Sequence, residues 1–375
     1  MRGRTHHVYL IPGFFGFVNF GRLAYFEHVR EILEQTLGQR GIIVEFHRAR
    51  ISPTASIRRR AAELLEYVAE TAPPDGVPIH IIAHSTGGLD ARMFLSPGVD
   101  LGTELPLEAY ARRVKTLVTL STPHHGAPLA RLFTSILGQK VLALLSVATV
   151  EVLRTGRVPL SIVARLGAAL AGILRGGTVE AVLDHLSAEL LGRLPDDERD
   201  HLSSFLQQIG KDQSLLPQLM PEGIDVFNAG TPDRPGVRYG CVVARAAPPS
   251  LRAHFRFRAR LYAHATYEIY RLLHFYAGLQ KAWIPRLTPE QELALETVFG
   301  EVPAPGDSDG IVPTLSQVRG DVIHAAEADH HDVIGHFHDE RHVPPHHDWV
   351  SSGSRFDRHA FELLWGDVTR FLVGA

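Results

Sequence analysis

The apolar positions of the chain follow two rhythms. Short continuous runs at His7–Ile11, Ile42–Phe46, Val77–Ala83, Val114–Leu120, Gly236–Ala244 and Asp321–Ala325 have the length and β-branched content of strands. Between them the spacing turns helical. Phe26–Leu37 places Phe26, Val29, Ile32, Leu33 and Leu37 on one face, with Gly38 or Gly41 as its stop, and Ser56–Thr71 does the same with Ile57, Ala61, Leu64, Leu65 and Val68. Phe361, Leu364, Trp365, Val368, Phe371 and Leu372 make the stripe of a closing helix. Strands alternating with helices predict an α/β fold with a mainly parallel sheet flanked by helices, and continuous apolar runs fit strands buried on both faces.

After Gly126 the alternation stops for about 110 residues, which read as helices rich in Leu, Ala and Val. The span 127–235 is therefore expected to be a helical lid or cap insertion, and 251–300 a second one. Within the latter, Leu251–Leu287 interleaves seven basic residues with eight aromatics and one acid, Glu268. Such a stretch suits a solvated helix face, a cap or an anionic-lipid contact. The length of 375 residues would allow two or three domains. The pattern instead predicts a single domain over 1–375 with helices inserted into it.

Composition narrows the function classes. With 38 Lys+Arg against 41 Asp+Glu, a formal charge of −3 and 45% hydrophobic residues, the chain is neither disordered nor an electrostatic nucleic-acid binder. Its one cysteine, Cys241, excludes an internal disulfide and a cysteine-cluster metal site. Twenty-two histidines make its charge depend strongly on pH near 6.5. The most apolar region, Arg131–Arg175, is interrupted by Lys140, Glu151, Arg154, Arg157 and Arg165, so no transmembrane segment is expected. No signal peptide is legible, and a cytoplasmic location is the expectation, with secretion after removal of a signal as the alternative.

The densest chemistry lies at Ala83-His84-Ser85-Thr86-Gly87-Gly88, between a buried-type strand and a helix. That is the setting of the G-x-S-x-G nucleophile elbow, with Ala83 in place of the first glycine. A serine hydroxyl needs a base, and the base an orienting acid, here in the order serine, acid, histidine. Asp309 is the preferred acid because Gly310 permits a tight turn, with Asp307 as first substitute. For the base, Asp329–His336 offers His330, His331 and His336. Acyl transfer also needs two N–H donors for the oxyanion. The residue after the nucleophile, Thr86, is one, and Phe14 in the glycine-rich turn Pro12–Gly16 is the other.

Together the elbow, the Pro12–Gly16 turn, Ser121-Thr122-Pro123-His124-His125-Gly126, Ser308–Pro313 and Asp329-His330-His331-Asp332 resemble the bacterial triacylglycerol lipases of the α/β-hydrolase superfamily. Met220–Gly223, Phe227-Asn228 and Gly236–Tyr239 are similar to further segments of those lipases. The resemblance implies Ser85 as nucleophile, Asp309 as acid, His330 as base, because the family's histidine precedes a short x-Asp, and Phe14 and Thr86 as oxyanion donors. It implies a lipid or ester substrate met through an acyl-enzyme, with transient lipid-surface contact through the lid. Two departures stand out. Pro12 occupies the usual place of a histidine. Of the two aspartates that hold a structural calcium in many relatives, Asp332 matches one, but no aspartate lies between Asp233 and Asp307 to match the other.

No metal or other cofactor is therefore expected. The histidine-rich run containing His336, His338, His342, His346 and His347 reads as a solvated loop, and His124 and His125 as hydrogen-bonding loop residues. The same triad would also serve an acyltransferase or a phospholipase. A non-catalytic lipid- or partner-binding module is the alternative from another class.

Overall fold

In the computed structural model, which describes residues 4–14, 25–73, 77–155, 158–174, 179–250, 261–279, 285–348 and 350–374, six strands build one sheet. They are β1 (Arg4–Ile11), β2 (Ile42–Arg48), β3 (Ile79–His84), β4 (Val114–Leu120), β5 (Arg238–Ala244) and β6 (Asp321–Ala326), in the spatial order β2-β1-β3-β4-β5-β6. Every neighbouring pair is parallel. The six apolar runs thus all became strands, with ends displaced by three residues or fewer.

Period-two alternation sorts the strand residues between two cores. Val8, Leu10, Ile82, Val118, Leu120 and Val242 face helix α1 (Glu27–Gly38) and the closing helix Arg358–Val373, where Trp365 is fully buried. Tyr9, Ile11, Ile79, Ile81 and Leu117 face α2 (Ile57–Thr71) and α3 (Gly87–Leu95). Central β3 is buried throughout. Edge strand β2 instead alternates, with only His47 of its residues buried, because one of its neighbours is solvent. Ser56 starts α2, its side chain accepting the Arg59 N–H at 3.2 Å, one of the donors that a helix start leaves unpaired.

Between β4 and β5 lie the helices Ile136–Thr155, Leu160–Leu174, Glu180–Leu191, Asp196–Lys211 and Pro221–Gly230. Their apolar faces form a further core that includes Phe14, Ile57 and Leu89, so these helices sit at the carboxyl end of the sheet. The stretch 251–300 divides. Tyr267, Tyr270 and Leu273 of helix Leu261–Ala277 join that core, whereas Leu295 and Phe299 of helix Pro289–Phe299 pack on Cys241, Val243 and Ala325 of the sheet. Residues 251–260 and 280–284 of the basic aromatic segment lie outside the described residues. No helix among the described residues is long and apolar enough to cross a membrane.

Candidate active site

The chain leaves β1 toward one side for β2, then crosses back to β3 and continues the other way. The order therefore reverses between β1 and β3, and the loops leaving their carboxyl ends meet at this switch point. Pro12-Gly13-Phe14 leaves β1 there, and Ser85 leaves β3. Phe15 and Gly16 lie outside the described residues.

Ser85 is held at φ +54°, a left-handed conformation rare for a residue with a side chain. Its N–H donates to Leu120 O of β4 at 2.8 Å. Such a turn closes only if its neighbours lack side chains. A Cβ on Gly87 would lie 2.6 Å from Pro12 O and 2.7 Å from Ile11 O, and one on Gly88 would collide with the Thr122 side chain. A Cβ on Gly13 would come within 2.5 Å of Ser85 Cβ and 3.1 Å of its Oγ. The loop bearing Phe14 therefore runs directly against the serine.

Asp309 and His330 meet in the interior, with Nδ1 of the ring 2.7 Å from Oδ2 of the carboxylate. The other carboxylate oxygen accepts the N–H groups of Ile311 at 2.9 Å and Val312 at 2.7 Å. Gln317 Nε2 donates to Oδ2 at 3.2 Å, and the His330 N–H donates to Asp309 O at 3.0 Å. Gly310, at φ +94°, makes the turn that folds these amides back onto the carboxylate. Fixed by four donors and its partner ring, Asp309 leaves His330 Nδ1 one role, donation to the carboxylate. That leaves Nε2 as the basic nitrogen.

His84, next to the serine, ties the parts together. Its Nε2 lies 2.8 Å from His330 O and its Nδ1 2.6 Å from the Tyr25 hydroxyl. Burial, reinforced by the neighbouring His330, pushes its pKa well below the usual histidine range, so the ring is neutral. A carbonyl only accepts, so the proton sits on Nε2 and Tyr25 donates to Nδ1. The Gly13 N–H bonds the same tyrosine hydroxyl. One chain of hydrogen bonds thus links the β1 loop, the serine turn and the His330 loop. His84 and Tyr25 escaped the sequence reading because a buried histidine before a serine has no pattern of its own.

The other candidates have different partners. Asp307 lies on the surface side, 3.6 Å from Arg245. His336 Nε2 contacts Tyr25 O at 3.2 Å, and the His331 ring packs edge-on to His330. His124 sits between Arg92 and Thr119, its carbonyl accepting Asn228 Nδ2 at 2.8 Å, while the His125 N–H donates to Ser316 Oγ at 3.1 Å. Behind the elbow, Arg60 pairs with Asp90 in the interior at 2.7 Å and approaches Thr86 Oγ1 at 3.4 Å.

Asp332, the position of interest for calcium, lies in a second acid cluster beside the His330 loop. Its Oδ2 accepts the Asp329 N–H at 2.9 Å and Ser354 Oγ at 2.7 Å, while Asp329 accepts Ser352 Oγ at 2.8 Å and two loop N–H groups. Burial, with repulsion from neighbouring carboxylates (Asp309 on Asp329, Asp329 on Asp332 and Asp348), raises these acids, Asp329 to about 6 and Asp348 to about 7. Loop donors thus occupy Asp332 Oδ2 and both oxygens of Asp329. Among the described residues the three carboxylates do not converge as a ligand set, so the donors present do not fit a calcium shell.

No family model and no curated protein matches the sequence. Solved structures do match the fold. The lipase of Staphylococcus hyicus superposes with a TM-score of 0.55 at 16% identity, over 98% of this chain and 95% of that one. Lipase 1 from Pelosinus fermentans gives 0.52 at 16%, over 98% and 99%. EstA from Clostridium botulinum gives 0.52 at 16%, over 100% and 88%.

Proposed function

We propose that this chain, which has the α/β-hydrolase fold of bacterial lipases and esterases, is a serine hydrolase of carboxylic esters. The observation that carries the reading is a serine at positive φ joined, through His84, to a buried His330–Asp309 pair. In this reading Ser85 Oγ attacks the ester carbonyl carbon as His330 Nε2 takes its proton. The tetrahedral oxyanion is met by the N–H groups of Phe14 and Thr86. Collapse expels the alcohol, which receives the proton from His330, and leaves an acyl group on Ser85. Water, deprotonated by His330, then attacks the acyl carbon and restores the serine. Asp309 keeps the proton of the neutral ring on Nδ1 and balances the charge that His330 gains.

The substrate is proposed to be an ester with an apolar acyl chain. Phe14, next to Gly13 that packs on Ser85, and Leu89, in the helix that follows Ser85, belong to the same apolar core as Phe133, Leu145 and Tyr270 of the helices packed over the carboxyl end of the sheet. These helices are proposed to act as a lid that parts at a lipid surface. Labelling by a serine-directed fluorophosphonate, with Ser85→Ala as control, tests the chemistry. The parent should label at Ser85, and the variant should lose about 10⁴-fold or more in kcat on a short-chain ester. No label at Ser85, or near-parental hydrolysis by the variant, would sink the proposal and favour a binding module.

A further inference from the structure

Away from Ser85, the loop that follows the His330 segment returns to α1 and brings three imidazoles together. His28 on α1, His342 and His346 each present a ring nitrogen, and these nitrogens lie within 4.8 Å of one another. What the second nitrogen of each ring does is informative. Nδ1 of His346 is 2.7 Å from Gly335 O, and Nδ1 of His342 is 2.8 Å from Pro344 O. The Pro345 carbonyl bonds the His28 ring, while the buried His28 Nδ1 has no hydrogen-bond partner. Each carbonyl fixes a proton on the nitrogen that faces away. The lone pairs of His28 Nδ1, His342 Nε2 and His346 Nε2 are thereby turned toward a common space.

Three lone pairs converging without a donor between them repel one another, yet the rings of His28 and His346 stack at 3.6 Å. A carbonyl behind each imidazole is the arrangement that orients and strengthens histidine ligands of a metal. The three rings, with Glu31 and Gln35, line a half-open cavity of about 20 Å³, roomy enough for an ion or a water. Glu31, one helical turn after His28 and exposed, has one carboxylate oxygen 3.4 Å from His342 Nε2 and the other 3.9 Å from His28 Nδ1. Arg358, which also lines the cavity, turns its guanidinium to Glu362 at 2.9 Å.

We infer that His28, His342 and His346, with Glu31 or water as fourth ligand, form a binding site for a divalent transition-metal ion of the zinc class. Three imidazoles and one oxygen suit zinc and exclude the all-oxygen shells of calcium and magnesium. Metal–nitrogen bonds of about 2.0–2.1 Å would draw the three nitrogens in to roughly 3.4 Å, a contraction of about 1 Å or less per ring. The ion would staple α1 to the loop after His330, and so fix both segments that carry Tyr25 and His336. A second grouping, His7, Glu45 and His47, lacks this character, because His7 Nδ1 and His47 Nε2 satisfy each other at 2.8 Å.

The full chain, stripped with a chelator and titrated with Zn²⁺ against a chromophoric indicator at neutral pH, should bind one ion per chain and gain a few degrees in Tm. His342→Ala and His346→Gln should each weaken binding about 10-fold or more, and His47→Gln should not. Co²⁺ in the parent should give the intense visible band of four-coordinate nitrogen-rich cobalt, a readout that needs no variant to fold. Absence of tight Zn²⁺ binding, undiminished binding in folded His342→Ala, or a weak octahedral Co²⁺ spectrum would overturn the site.

Discussion

Replacing Gly13 by alanine tests whether the β1 loop presses on Ser85, the proposed nucleophile. The added methyl would lie 2.5 Å from Ser85 Cβ and 3.1 Å from both Ser85 Oγ and His84 O. Carbon atoms in contact settle at about 3.5–4.0 Å, so the overlap is about 1 Å or more. Ser85 has little freedom to yield, since its backbone is fixed at φ +54° and its N–H is bonded to β4. The loop must move instead, taking the Phe14 N–H with it. Misplacing a reacting or stabilising group by 1 Å costs about 10²-fold in rate, and losing an oxyanion donor costs about 10²–10³-fold. We therefore expect kcat to fall about 10²–10³-fold, or roughly 3–4 kcal/mol, with KM little changed. The assay is steady-state hydrolysis of a short-chain nitrophenyl ester, run beside thermal unfolding. Gly210→Ala is the control, being exposed in helix Asp196–Lys211 with nothing near its added methyl. A Gly13→Ala enzyme with kcat within about threefold of the parent and an unchanged Tm would refute this account of the β1 loop.

Acidification should destabilise the fold below pH 6.5. Burial pushes His80 and His125 down to about 3 and His336 to about 4, and holds His84, His124 and His331 well below the usual range. The unfolded chain protonates these six first, so their contribution is present above about pH 6.5 and lost as pH falls toward their folded values. Asp329, Asp332 and Asp348, raised by burial, act oppositely and favour the fold as pH falls from about 7 toward 4. With His28, His324 and His346 also lowered, the histidines outnumber the acids, and stability falls as pH drops below about 6.5. A Tm that is flat or rising between pH 7 and pH 5 would contradict this. Arg60→Met should lower stability in urea by about 3–5 kcal/mol by stranding buried Asp90, and Arg60→Met with Asp90→Leu should recover much of it. A single variant as stable as the parent would show that the pair is not truly desolvated.

Much of the fold was legible because burial imposes a repeat. All six strands, helices α1 and α2 and the closing helix carry the period that their buried faces require, and Ser56 marks its helix start by chemistry alone. The glycines around Ser85 were legible for the same kind of reason, since only residues without a side chain pass there. The departures also have causes. Edge strand β2 alternates because one flank has no neighbour, and Leu261–Ala277 joins the core above Ser85 through a packing choice that its sequence does not encode locally.

By itself the sequence determined the order of elements, the serine turn and a short roster of acids and histidines, all of them properties of adjacent residues. Only the tertiary structure decided which roster members meet. Asp309 and His330, 21 residues apart, were preferred over Asp307 and His331 only by the Gly310 turn and by resemblance, whereas in the fold that turn and the Gln317 side chain fix the Asp309 carboxylate against the His330 ring. His84 gained its bridging place, and His28 its company of His342 and His346, from contacts across more than 200 residues of chain. Such contacts follow from the sheet order and the closure of loops over it, and a local pattern of polar and apolar residues carries no record of them.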